Sequence, residues 1–414
     1  MQYLLTAPEQ LCATIALPAS KSISNRALIL HALSHGNSVP QNLSDCDDTR
    51  VMIQAFREWP ETIDILAAGT AMRFLTAYLS VNPGTHLITG TQRMQQRPIR
   101  ILVDALRSLG AHIEYAGAEG FPPLRITGKD LSGSEVTLPG HISSQYISAL
   151  LMIGPTLPHG LRIKLTGTII SRPYIQLTLA LMHHYGASAQ WKDEHTLQVE
   201  PGEYHDAPFL VENDWSGASY WYELMALMAL HTDTAHSLVL QGLFPDSCQG
   251  DSRGAELFNR LGVHTEYIAG GVRLTATSAS VTKLEEDMTD IPDLAQTFVV
   301  TCCLMNLPFR FTGLQSLKIK ETDRITALIT ELRKLGYAIQ SEKDSVLYWK
   351  GERCTAESSP LIETYEDHRM AMAFAPASVL YPHLRIHHPE VVSKSYPHFW
   401  KDLQQAGFTI HESI

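Results

Sequence analysis

The sequence lacks any apolar run near the roughly 18 residues that a membrane-spanning helix requires, so no span is expected. It lacks an excess of basic residues: 32 Lys and Arg stand against 43 Asp and Glu, a formal charge of −11. That balance argues against a nucleic-acid-binding surface, while leaving room for a local cationic pocket. Cysteine is sparse, with Cys12, Cys46, Cys248, Cys302, Cys303 and Cys354 and no C-x-x-C pair, which points to free thiols in a reducing compartment. The first residues have no basic stretch, and Pro8-Glu9-Gln10 interrupts a short apolar run, so a secretory leader is not expected. The resulting expectation is a cytoplasmic globular protein. The chain has 414 residues. Single domains commonly hold about 100 to about 200 residues, so two to four domains are expected.

Several motifs are also missing. There is no G-x-x-x-x-G-K-[ST], no G-x-G-x-x-G after a strand and no G-x-S-x-G, so P-loop, dinucleotide and serine-hydrolase chemistries are unsupported. His31 and His35 share a helix face, but the rest of that helix is apolar. The pairs His183-His184 and His387-His388 have no Cys or carboxylate companions at metal spacing. No metal site is expected.

What is present is a repeat. A helix ending in Gly and followed by an alternating strand recurs at Gly110, Gly186, Gly262, Gly336 and Gly407, at nearly even intervals. Gly just past a helix end supplies the left-handed cap, and alternation signals a half-buried strand. "DTRVMIQAFREWPETIDIL" is a sixth and weaker copy, with Trp59-Pro60 in place of the Gly. A second, more apolar helix precedes each one, starting near Ser22, Gly69, Ser143, Ser216, Asp293 and Asp367. Helices as apolar as "SQYISALLMIG" and "AQTFVVTCCLM" are buried on most sides. The unit reads as β-α-β-α-β-β, about 70 residues long, in six copies around shared cores.

Cations gather at these helix starts: Lys21 and Arg26, Arg97, Arg172, Lys320 and Arg324, Arg369, and Lys394. Any one alone is an ordinary solvated side chain. Their recurrence is harder to dismiss, because a helix N-terminus already favours negative charge. Cations beside it would add charge-assisted hydrogen bonds to a small, multiply negative ligand. Ser143, Ser144 and Gln145 exceed what a helix cap needs, and Gly69-Thr70 allows close approach of backbone to an anion. Asp293 reads equally as a cap or a partly buried base, and Lys320-Glu321 as an acid–base pair or a surface ion pair.

The ordered set "LPASKSISNRAL", "AGTAMRFL", "RMQQRPI", "SSQYISALLM", "SRPYI", "DWSGASYW", "IPDLAQT", "KETDR", "DHRMAMA" and "SKSYPHFW" resembles the 5-enolpyruvylshikimate-3-phosphate synthases along nearly the whole chain. The resemblance implies an α/β fold of two domains with three repeats each, residues 18–211 forming one and residues 1–17 with 212–414 the other. It implies helix N-termini facing an interdomain cleft that closes on its ligands. The implied reaction moves the enolpyruvyl group of phosphoenolpyruvate onto the 5-hydroxyl of shikimate 3-phosphate and releases phosphate, with no metal or organic cofactor. The implied partners are those two small molecules, with no nucleic acid or membrane, and the implied state is a monomer.

Matched motif by motif, Lys21, Ser22, Arg26, Ser143, Ser144, Gln145, Ser171, Tyr174, Asp293 and Lys320 correspond to shikimate 3-phosphate contacts. Lys21, Gly69, Arg97, Gln145, Arg324, Arg369 and Lys394 correspond to phosphoenolpyruvate contacts. Asp293 is the implied base for the 5-hydroxyl, Glu321 the carboxyl that exchanges protons with C3, and Lys21 a further donor. Asp214, Asp367 and His368 would hold these groups in place. The chain departs from the family pattern at Ala67 (usually Asn), Phe74 (usually Pro) and Ser316 (usually Asn), which bears on phosphoenolpyruvate-pocket geometry, the response to glyphosate and one shikimate contact. The nearest alternative is a UDP-N-acetylglucosamine enolpyruvyl transferase, whose usual reactive Cys is missing from residues 85–98. A non-catalytic anion-binding paralogue is a second alternative, opposed by the presence of Lys21, Asp293, Lys320 and Glu321.

Overall fold

A computed structural model of the chain describes residues 1–230 and 235–413. The backbone divides into two compact units, Ala19–Val211 and Met1–Pro18 with Glu212–Ile414. We refer to them as the contiguous and the discontinuous unit.

Each repeat pairs a mostly buried helix with an amphipathic one. In Trp215–Met228 and Ala295–Leu304 every residue is buried, and in Gly69–Val81 every residue but the last. Such helices have no polar face because protein covers them on all sides. The second helices bury one stripe, as in Arg100–Ser108, where Leu102, Val103, Ala105 and Leu106 face inward. They end where the sequence suggested. Gly110, Gly186, Gly262, Gly336 and Gly407 all have positive φ. At the sixth position Trp59 itself adopts the left-handed cap, at φ 43°. An L side chain there is strained. Its indole makes edge contacts with Tyr78 (5.8 Å between ring centres) and His86 (4.6 Å). Those contacts offset part of the cost.

The strands form four-stranded sheets of one topology. Thr62–Asp64 runs parallel to Gly84–Thr89 through the Gly69–Val81 crossover, and Leu124–Gly128 then separates it from His112–Tyr115. Glu135–Pro139, Leu161–Thr166, Thr196–Val199 and Ala189–Trp191 repeat this order. The discontinuous unit holds three such sheets, two of them completed by the first residues of the chain. Cys12–Ala16 pairs in parallel with Ser237–Gln241. Gln2–Thr6 lies between Arg385–His387 and Thr409–Ser413.

One expected sheet differs. Around helices Lys21–Ser34 and Asp47–Glu58, pairing among the described residues reduces to a single parallel bridge, Gln41 to Leu210. Pro40, Pro201 and Pro208 remove ladder donors there. Asn42 also turns left-handed, at φ 57°. Each unit has its own core. That of the discontinuous unit includes the stacked Phe258–Phe298 pair at 4.5 Å.

Candidate active site

In the contiguous unit, polar contacts connect the starts of the buried helices. Ser20 caps Lys21–Ser34, accepting from Ile23 N, and Lys21 and Ser22 occupy the first turn, half-buried. The Lys21 charge acts on Cys46, which stands at the start of the next helix. In that helix Asp48 accepts from Thr70 N (3.3 Å), and Gln145 Nε2 donates to Thr70 Oγ1 (3.2 Å). Ser143 caps Ser144–Ile153, and Tyr146 OH donates to Pro98 O (2.6 Å), fixing the loop that carries Arg97.

Arg26 is 2% exposed and donates to Thr178 Oγ1 (2.7 Å), Ser22 O (2.8 Å) and Ser148 Oγ (3.0 Å), beneath the ring faces of Phe74 and Tyr174. Burial lowers its pKa to about 10. Ser171, buried and left-handed at φ 55°, precedes the helix that carries Tyr174. Arg172 takes a different course from Arg97 despite the same Arg-Pro signature. It lies over Trp191 (4.4 Å) and donates to Glu194 O.

Gly69 opens Gly69–Val81, and a Cβ built there would lie 2.7 Å from both Arg73 Nη1 and Arg97 Nη1. Two guanidinium groups therefore converge on this glycine. Arg73 is buried, donates to Gly69 O (2.8 Å), and has its pKa lowered to about 10 by burial and then by the Arg97 charge. Like charges held together, one buried and one half-buried, mark a place where an anion is favoured. Sequence reasoning missed Arg73 because it lies four residues inside the helix rather than at its start. Its i+4 spacing from Gly69 was the available signal.

The discontinuous unit carries the denser cluster. Asp293 accepts from Lys320 Nζ (3.4 Å), Arg324 Nη1 (3.2 Å) and Arg369 Nη2 (3.0 Å). Glu321 pairs with Arg324 Nη2 (3.0 Å) and Lys394 Nζ (2.9 Å). Asp367 is fully buried; it receives Arg324 through Nε (2.7 Å) and Nη2 (3.3 Å) and caps Arg369 N (2.9 Å). Arg369 Nη1 donates to Tyr220 OH (3.3 Å), and His368 is buried beside Asp367. Asp214 caps Trp215–Met228 by accepting from Gly217 N (3.1 Å). Burial pushes the Asp293 carboxyl up, but Arg369, Lys320 and Arg324 outweigh it and hold it well below the usual carboxylate range.

Asp251, which the sequence did not single out, is buried and accepts from Ser216 Oγ. Burial, followed by the Asp293 charge, raises it to about 7. Among the described residues no group of His, Cys, Asp and Glu is placed to hold a metal ion, and no helix is long and apolar enough to cross a membrane. The two clusters can bind multiply charged anions and place carboxyl groups beside them.

The sequence profile of the family described as EPSP synthase (3-phosphoshikimate 1-carboxyvinyltransferase) matches residues 5–63 and 58–403. A 3-phosphoshikimate 1-carboxyvinyltransferase of Bacteroides fragilis is 66% identical over 410 residues, covering 99% of each chain. One of Shewanella halifaxensis is 35% identical over 420 residues, covering 95% of this chain and 96% of that one. The solved structure of an EPSP synthase from Acinetobacter baumannii has the same fold, with a TM-score of 0.76 at 20% identity over 99% of this chain and all of that one.

Proposed function

We infer the activity from one premise: the chain belongs to the EPSP synthase family. It is a 3-phosphoshikimate 1-carboxyvinyltransferase of the shikimate pathway. It moves the enolpyruvyl group of phosphoenolpyruvate onto the 5-hydroxyl of shikimate 3-phosphate and releases phosphate. The observation that carries this conclusion is the 66% identity to the Bacteroides fragilis enzyme across 99% of both chains.

The arrangement of side chains supports a division of roles. Lys21, Ser22, Arg26, Ser143, Ser144, Gln145, Ser171, Tyr174, Asp293 and Lys320 hold shikimate 3-phosphate. Lys21, Gly69, Arg97, Gln145, Arg324, Arg369 and Lys394 hold phosphoenolpyruvate. The paired guanidinium groups at Gly69 suit a phosphoryl or carboxylate group, which accepts bidentate donors. The reaction protonates C3 of phosphoenolpyruvate while the 5-hydroxyl attacks C2. The tetrahedral intermediate then expels phosphate. Asp293 takes the hydroxyl proton, Glu321 exchanges protons with C3 and Lys21 is a further donor. Fixed cations stabilise charge as it develops on the departing phosphate. The protein acts in the cytoplasm as a monomer, on small molecules alone.

The test is phosphate release measured with each acceptor. Release should require both phosphoenolpyruvate and shikimate 3-phosphate. Release that follows UDP-N-acetylglucosamine and ignores shikimate 3-phosphate would overturn the assignment.

A further inference from the structure

The cations of this cluster in the discontinuous unit are already paired with carboxylates of the same unit. Lys320, Arg324 and Arg369 converge on Asp293, while Lys394 and Arg324 converge on Glu321. Asp293 is 17% exposed and Glu321 15% at the side chain, so these pairs are little screened by water. A new anion meets N–H donors that are in use. It must take them from a carboxylate or sit beside that carboxylate at a repulsive cost.

The two carboxylates are not held alike. Asp367 grips Arg324 from a fully buried position through two guanidinium nitrogens, so Arg324 cannot turn away to a ligand. Lys394 ends a short turn, Pro389–Lys394, and its ammonium can rotate its donors toward a new acceptor. Glu321 would then lose its Lys394 ion pair, while the Arg324 nitrogen that bonds it is shared with Asp367. Losing a cation and gaining an anionic neighbour both raise a carboxyl group's affinity for a proton, and burial acts in the same direction. The surrounding charges are Lys320 on the same segment, Arg324 from the next helix, Asp367, His368 and Arg369 from His368–Phe374 and its cap, and Lys394 from its turn. Asp251 faces the cluster from Gly250–Arg253, and Tyr220 and Asp214 from Trp215–Met228 or its cap.

We propose that anion binding at Arg369 and Lys394 is linked to proton uptake by Glu321, so that the arriving ligand loads the acid that the reaction then spends. The proton comes from solvent and forms an O–H bond on Glu321. On transfer to C3 that bond breaks, a C–H bond forms and the carboxylate returns to Lys394. Linkage is reciprocal, so protonating Glu321 also tightens anion binding. The proposal rests on the reading that these cations hold phosphoenolpyruvate.

Calorimetric titration with sulfate tests it without catalysis, because the charge of sulfate is constant over mildly acidic to neutral pH. Titrations in two buffers of different ionisation enthalpy give the protons taken up per sulfate bound. The intact chain should take up a substantial fraction of a proton. Glu321→Gln should bind sulfate about tenfold tighter near neutral pH, because a competing charge is gone, and should lose the uptake. Lys394→Ala should weaken binding in both backgrounds. Sulfate binding that Lys394→Ala weakens but that takes up no proton would overturn the proposal and leave the transferase assignment standing. Binding indifferent to Lys394→Ala would overturn the proposal together with the assignment of this cation set. Asp293→Asn serves as a second variant: with Glu321 intact it should retain uptake, and its loss there would transfer the role away from Glu321 and refute the proposal.

Discussion

Replacing Gly69 by Ala places a methyl group 2.7 Å from both Arg73 Nη1 and Arg97 Nη1. Real Cβ contacts are not that short, so both guanidinium ends must retreat by several tenths of an ångström. The glycine is needed for space and not for backbone freedom, since it forms the first residue of a regular helix. The fold should tolerate the change, because Ala is the better helix former by up to about 1 kcal/mol and the obstructing atoms are the tips of flexible side chains. Binding should not. A misplacement approaching 1 Å in a positioned group costs on the order of 100-fold in rate, so displacement of half that size should cost about tenfold. Initial rates of phosphate release, with phosphoenolpyruvate varied at saturating shikimate 3-phosphate, should show KM for phosphoenolpyruvate raised about tenfold. KM for shikimate 3-phosphate should change little and the melting temperature should hold or rise. An unchanged KM for phosphoenolpyruvate would refute the idea that Arg97 and Arg73 meet the ligand over Gly69.

Other outcomes follow from buried carboxyl groups. Asp251 is raised to about 7 by burial and then by Asp293, so the folded state binds its proton more tightly than the unfolded state does. Its contribution to stability therefore falls as pH climbs from about 4 to about 7 and is constant above that. Asp251→Asn should gain on the parent over that window, by up to about 4 kcal/mol, in urea unfolding at a series of pH values. Parallel curves would remove the raised acid. Asp293 is depressed, so its contribution is present above the unfolded carboxyl pKa and is lost only as pH falls through its lower folded value. Asp293→Asn should thus flatten the acid limb of stability and change the slope near neutrality little. Asp367→Asn leaves Arg324 buried with a weaker partner, and denaturant unfolding should report a loss of about 3 kcal/mol. A loss below about 1 kcal/mol would mean that Asp293 and Glu321 suffice to hold the guanidinium.

Much of the helix framework was legible because it is local. A glycine at a fixed interval after an apolar stripe marks a helix end, and even the exception at Trp59 was visible as a break in that rule. Lys320, Arg324, Arg369 and Lys394 stood out in the sequence as cations near predicted helix starts, although Lys394 in fact ends the short turn Pro389–Lys394. Side-chain direction was not legible. Arg97-Pro98 and Arg172-Pro173 look alike in sequence, yet Arg172 turns to the Trp191 face, a choice made by an indole in a later strand. Arg73 and Asp251 were hidden because a cation inside a helix and an acid in a short helical turn are ordinary until burial is known. The pairing of Gln2–Thr6 with strands near the far end of the chain left no periodic signal, since strand partners far apart in sequence are decided by packing.

That last pairing bears on how the chain matures during synthesis. Ala19–Val211 is complete in itself once it has left the ribosome. Gln2–Thr6 is made long before both of its neighbours, Arg385–His387 and Thr409–Ser413. At about 5–20 residues per second, the roughly 200 residues between the end of the contiguous unit and the final strand impose a delay on the order of 10–40 s. Through that interval the first strand has unpaired edges and depends on its short length, and on whatever chaperones shield it, to avoid the wrong neighbour.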